Sequence, residues 1–371
     1  MPDSTKKLVA VAAAVTLILS GCGRPPSKTD QAARLLAPAQ VDTSDGLRID
    51  GELVADRQLF AAAKKSKVVF YSAAGKEAED LTVARFTAET GIKVELTRLP
   101  NNKLAERALS ENGAGKLTAD AIRLTDPRVA RKFEQAGVYA PYRTPFHGLL
   151  EKQGSLTSGA FFTGYYFVNA VGYNSALVTD PPTQWTDLLD PRFKGELGMV
   201  AITTGGTLNA LTRFQLETFG PQFLQREAQQ KPRIFNSTST HVDALARGEI
   251  SIGPVSFNNA FAAEVAGAPI KLLVPEDGVS ASQGPFGLTK KGTTNPAAEV
   301  FANWSLSRSG QRFVGAQGFV PVRTDIAPVK TGDYQLPPAN SPKFHLLTEA
   351  GFAQYARSDE KLWKDTFGFI G

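Results

Sequence analysis

The sequence predicts an α/β protein on three observations. Short apolar runs alternate with stretches of helix formers, the runs end in small polar residues that open helices, and one long aromatic-rich segment interrupts the alternation. The stretch from Lys67 to Leu96 shows the pattern whole. Val68, Val69, Phe70 and Tyr71 read as a buried strand that stops in the small residues Ser72-Ala73-Ala74-Gly75. Glu77 to Glu89 holds mostly good helix formers, Gly91 stands at a left-handed cap, and Ile92-Lys93-Val94-Glu95-Leu96 alternates as a second strand. Leu81, Ala84 and Ala88 mark one helix face while Val83 and Phe86 mark another, so this helix rests on propensity and on its ends. If the strands are parallel, the Ser72 turn lies at a strand's carboxyl end and a helix start, where open sheets hold ligands.

From the beginning of the chain, Lys6 and Lys7 precede an apolar run from Leu8 to Leu19, and Ser20-Gly21-Cys22 follows. That order is the order of an export signal, and the run is well short of the roughly 20 residues that span a bilayer. Leu19-Ser20-Gly21-Cys22 resembles the lipobox of bacterial lipoproteins, which implies cleavage before Cys22 and acylation of its thiol. Cys22 is the only cysteine, so no internal disulfide is available. Of 41 basic and 36 acidic residues, loss of residues 1–21 removes two lysines and one aspartate and leaves a net charge of +4. The excess is mild and spread out, without a basic block of the nucleic-acid kind. Residues 22–56 are rich in Pro, Gln, Ser, Thr and Asp and read as a tether.

Along the body, Leu104, Ala105, Ala108 and Leu109 recur at helical spacing, and a strand from Ala121 to Leu124 closes in Thr125-Asp126. Asp126 and Pro127 suit the cap and first turn of a helix bearing Val129, Ala130 and Phe133. Phe161 to Tyr173 is the long strand-like segment that breaks the alternation, as a crossing between lobes would. Beyond it, Leu197 to Ile202 runs into Thr203-Thr204-Gly205-Gly206-Thr207 and a helix ending before Gly220-Pro221. Ile234-Phe235 runs into Asn236 to Ser239 and a short helix. A strand from Glu249 to Ile252, a helix from Asn258 to Ala266 and a strand from Ile270 to Val274 follow. Gly284 to Leu288 reads as a return to the first lobe, and Lys343 to Phe367 as a helical tail anchored by Trp363.

Phe60 to Lys65, Phe86 to Val94, Phe319-Val320-Pro321-Val322-Arg323 and above all Trp185 to Gly195 carry a family resemblance. From Gln58 on, the chain resembles the extracellular solute-binding proteins of bacterial ABC importers, in the branch with ferric-iron, phosphonate and polyamine-type binders. The resemblance implies a two-lobed type II periplasmic-binding fold, each lobe a mostly parallel sheet flanked by helices, closing on ligand by a hinge. It implies lobe 1 over 57–165 and 284–325, lobe 2 over 166–283, and a C-terminal segment over 326–371. Partners implied are a permease and an ATPase, with the protein monomeric and held to the membrane through Cys22.

In that frame Ser72, Ala73, Thr125, Thr204, Gly205, Gly206, Thr207, Ser256 and Asn258 are the candidate ligand contacts, with Tyr166, Phe257 and Phe286 as packing surfaces. Hydroxyls and helix-start N–H groups converging on a cleft favour an anionic group such as a carboxylate, phosphonate or sugar phosphate. Each residue also serves as an ordinary helix cap, and the aromatics as ordinary core. Arg123 and Arg323 are candidate countercharges. Ferric-iron binders of this branch use paired tyrosines where this chain has Ser256-Phe257-Asn258-Asn259, so bare ferric iron lacks its anionic oxygen ligands. An iron chelate, or a sensor docking on a membrane receptor, are the alternatives. His147, His241 and His345 lack metal-site spacing and read as surface or capping residues. No cofactor is expected, and no catalytic motif appears. Asp187 and Asp190 read as turn-forming rather than catalytic carboxylates.

Overall fold

The computed structural model describes residues 27–154 and 158–369, so the expected export signal and Cys22 lie outside the described residues. The expected tether is corrected: residues from Lys28 onward are part of the body. A Ser27/Asp30 capping box opens α1 (Lys28–Leu35). β1 (Val41–Asp42), β2 (Leu47–Ile49) and β3 (Glu52–Ala55) then form a small antiparallel sheet. Ala32, Leu47, Ile49, Val54 and Ala55 are buried, which docks the segment although no period announces it.

α2 (Arg57–Ala63) leads into the expected unit of β4 (Lys67–Ser72), α3 (Lys76–Thr90) and β5 (Lys93–Arg98), in which β4 and β5 are parallel. α3 ends on Gly91 in the left-handed conformation, as its cap position demands. Its buried face is largely polar: Glu79, Thr82, Arg85 and Glu89 lie there beside Phe86. Arg85 pairs with Glu89 and donates to the Leu36 and Ala37 carbonyls, at 2.8 and 2.9 Å. Glu89 accepts from Trp304 Nε1 at 2.7 Å. α4 (Asn101–Gly113), β6 (Ala121–Arg123), α5 (Pro127–Gln135) and α6 (His147–Lys152) complete this half, with β6 parallel to β4.

β7 (Phe162–Asn174) is the long aromatic segment. After it come β8 (Gly198–Val200), α7 (Gly206–Phe219), α8 (Pro221–Gln229) and β9 (Arg233–Phe235), then α9 (Thr238–Ala246), β10 (Ile252–Ser256), α10 (Phe257–Val265) and β11 (Ile270–Leu273). β12 (Val279–Leu288) returns, followed by α11 (Pro296–Leu306), α12 (Arg308–Ala316), β13 (Phe344–Leu347) and α13 (Glu349–Phe367). The tail expected to be helical from Lys343 therefore opens with a strand, because Phe344 to Leu347 pair in parallel with β12.

The main sheet runs β10-β7-β12-β6-β4-β5. Both long strands change neighbours along their length. β12 pairs with β13 through Ser282 and with β6 from Phe286 on, while β7 takes β10 and β11 only from Asn169 on. One sheet thus serves two lobes, crossed by β7 and β12. Each lobe has its own aromatic core. Phe70, Phe86, Phe286, Phe301 and Trp304 pack in the first, and Trp185 packs with Phe214 in the second. Trp185 Nε1 donates to the Gly278 carbonyl at 2.9 Å, which satisfies its one donor.

Candidate functional site

A cavity of about 800 Å³ opens between the β4, β5 and β6 ends on one side and the starts of α7, α9 and α10 on the other. Ala73, Ala74, Gly75, Arg98, Asn101, Asn102 and Thr125 line the first side. Thr203, Thr204, Gly205 and Thr207 line the second, with Asn236 to Ser239, Ser256, Asn258 and Asn259. Phe167, Leu208 and Phe369 supply apolar wall.

The helix starts are more open than capping alone would leave them. α3, α4, α7 and α10 all begin at this cavity, and none has a side-chain cap hydrogen bond. Only α9 is capped, by Ser237 accepting from the Thr240 N–H. First-turn N–H groups and the positive ends of four helix dipoles therefore face shared space. The amide and hydroxyl wall is pre-ordered. Ser256 Oγ donates to Asn258 Oδ1 (2.9 Å), Asn258 Nδ2 to Asn259 Oδ1 (2.9 Å), and Asn259 Nδ2 to Thr238 Oγ1 (3.1 Å).

Among the described residues, Arg98 is the one charged side chain on the lining, which holds no carboxylate. Its Nε donates to the Ala74 carbonyl at 3.0 Å, and its two terminal amino groups have no partner among the described residues. Although Arg98 is exposed, partial desolvation with no carboxylate to offset it draws its pKa below the usual guanidinium value. The group stays protonated at any physiological pH.

Several expected contacts fall elsewhere. Ser72 is fully buried, with its hydroxyl donating to Glu79 at 2.7 Å and accepting from the Ala74 N–H, so it ties the turn rather than facing the cavity. Tyr166 packs edge-on against Phe344 on the opposite face of β7 from Phe167, which is the residue that reaches the lining. Phe286 is core, between the rings of Phe70, Phe162 and Phe301, and Phe257 packs on Tyr334. Gly206 does not line the cavity. A Cβ there would lie 2.8 Å from the Thr125 carbonyl oxygen, so its glycine permits the two walls to approach.

Neither expected countercharge is free. Arg123 is buried, donates to both carboxylate oxygens of Glu79 at 2.8 and 2.9 Å, and stacks on Tyr165. Arg323 pairs with Glu52 and Asp325. His241 is buried rather than superficial, against Phe235, and burial pushes its pKa down to about 4. Asp187 and Asp190 accept from the Thr183 and Arg192 N–H groups, as turn devices do. Arg98, Asn101, Asn102 and Phe369 were missed. An arginine ending an alternating strand carries no local sign of where it points, and Phe369 reaches the site only through the course of α13.

Residues 118–344 match the family described as bacterial extracellular solute-binding proteins. Over 254 residues the chain is 24% identical to a Salmonella typhimurium protein named as a candidate 2-aminoethylphosphonate-binding periplasmic protein, covering 66% of this chain and 73% of that one. Iron-bound HitA from Pseudomonas aeruginosa superposes with a TM-score of 0.61 at 19% identity, over 81% of this chain and 99% of that chain. AfuA from Actinobacillus pleuropneumoniae, with fructose-6-phosphate bound, gives 0.58 at 17% identity, over 82% and 99%. These neighbours share the two-lobed type II fold. With a family match over more than half its length, the chain belongs to the bacterial extracellular solute-binding proteins, the substrate-binding components of ABC import.

Proposed function

We propose that this chain captures a small organic anion, carrying a carboxylate, phosphonate or phosphate ester, in the cleft and delivers it to a permease. The observation that supports the reading is the sign of the lining. Four uncapped helix starts and the terminal amino groups of Arg98 face one cavity without a lining carboxylate among the described residues. The fructose-6-phosphate bound in AfuA is a ligand of this kind, and one relative is named for a phosphonate. Ferric iron, bound in HitA, is less suited here: the lining presents no phenol, imidazole or carboxylate among the described residues. In this reading the lobes divide within β7 and β12 and close on the ligand as a monomer.

We further propose that Cys22 carries lipid after cleavage of residues 1–21. α1 begins at Lys28, and six residues reach at most about 20 Å, so the body would be held close to the membrane surface. Thermal-shift screening tests the capture reading. A saturable rise in Tm with one class of phosphonate, phosphate ester or carboxylate, and none with ferric salts, is expected. A response to ferric salts alone would refute it.

A further inference from the structure

Resting on the capture reading, we propose that the ligand is an anion without an ammonium group, so that this chain rejects aminophosphonates in favour of their hydroxyl counterparts. Among the described residues, the one charged side chain and the four uncapped helix ends that face the cavity are all positive. Arg98 stands at the end of β5 with both terminal amino groups unpartnered among the described residues, and the four uncapped helices point their positive ends inward. Carboxylates beside the lining segments are already held, Glu77 by Lys28 among them. Glu79, bonded to the Ser72 hydroxyl behind the turn, is chelated by Arg123, and Asp126, next to Thr125, accepts three hydrogen bonds from the Arg128 guanidinium.

An anion end placed among these donors gains from all of them, but an ammonium two carbons away meets the same field with the opposite result. The hydroxyl and amide oxygens of Thr238, Asn258 and Asn259 are neutral acceptors and leave that repulsion uncompensated. A hydroxyl in place of the ammonium keeps one donor for these acceptors, can itself accept from the amide and hydroxyl donors of the wall, and carries no charge. The chemistry assigned is thus a phosphonate or phosphate ester whose remaining groups are hydroxyls or carbonyls. Discrimination arises as much from the repelled cation as from the attracted anion.

Calorimetric titration of the full chain with 2-hydroxyethylphosphonate and with 2-aminoethylphosphonate, a pair of nearly equal shape, tests the inference. The hydroxyl compound is expected to bind at least tenfold more tightly. The Asn259→Asp variant, which adds a carboxylate to the lining with little change of volume, is expected to shrink that ratio at least threefold, with circular dichroism confirming its fold. Equal or tighter binding of the amino compound by the unaltered protein would overturn the inference and leave the organic-anion reading standing. An unchanged ratio in Asn259→Asp would overturn its electrostatic basis. Absence of binding by either compound, by citrate and by inorganic phosphate would overturn both.

Discussion

Replacing Arg98 by glutamine removes the one charged side chain that the described residues place on the cleft lining and keeps most of its volume. The guanidinium is fixed at one edge by the 3.0 Å hydrogen bond from Nε to the Ala74 carbonyl, and its two free amino groups offer a paired donor set to an anion. A hydrogen bond to a charged group is worth about 1.5–3 kcal/mol net. A bare Coulomb term for charges 4 Å apart near a protein surface would be ~4 kcal/mol, but the cleft is open to water, so the smaller range governs. Affinity for a bound phosphonate should therefore fall about 10- to 150-fold. In a melting experiment at a ligand concentration 100 times the unaltered Kd, that protein gains about 2.7 kcal/mol, and a variant bound fiftyfold more weakly gains only about 0.7 kcal/mol. Without ligand the variant should melt close to the parent, since one backbone hydrogen bond is lost at a side chain with no ion pair. Calorimetry showing Arg98→Gln within threefold of the parent would refute the assignment of Arg98 to the ligand.

Glu79→Gln leaves Arg123 buried without its countercharge and should cost about 3–5 kcal/mol, read by chemical denaturation; a loss under 1 kcal/mol would mean the pair is not buried as described. Leu47→Ala should cost about 2–4 kcal/mol, because the N-terminal sheet is packed rather than free, whereas a true tether would show no change. Burial pushes the Glu227 carboxyl up to about 8. The folded state therefore holds this proton while the unfolded chain releases it near pH 4.5, so its contribution is full below pH 4.5 and is lost as pH rises to about 8. Glu227→Gln should flatten that slope and raise Tm at pH 8 relative to the parent. His241 acts in the other direction: burial holds its pKa down to about 4, so the stability tied to its neutral ring is lost as pH falls from about 6.5 to 4.

The elements that carry strong local signals were legible in the sequence. β4 and β7 are apolar runs with clear ends, the α3 and α5 boundaries carry a glycine and an Asp-Pro pair, and Thr203 to Thr207 does run from a strand end to a helix start at the cavity. What escaped depends on contacts distant in sequence. α3 shows no clean apolar stripe because it buries Glu79, Arg85 and Glu89, whose partners include Arg123 and Trp304. Arg123 looked available as a countercharge for the same reason. Tyr166 and Phe286 looked available as aromatic surfaces, but strand alternation turns each into a core from which only the assembled sheet excludes the ligand. In residues 28–55, Leu47, Ile49, Val54 and Ala55 fill a site that exists only once α2 and α11 are in place, and the surrounding polar composition concealed them.

Native mass spectrometry of freshly purified protein, run beside Arg98→Gln, measures what the cleft holds. The parent should carry an organic adduct that appears in negative-ion mode on denaturation and contains phosphorus or carboxylate, and the variant should lose it. An iron-only adduct, or the same compound retained equally by both proteins, would contradict the assignment of this cleft to an organic anion held by Arg98.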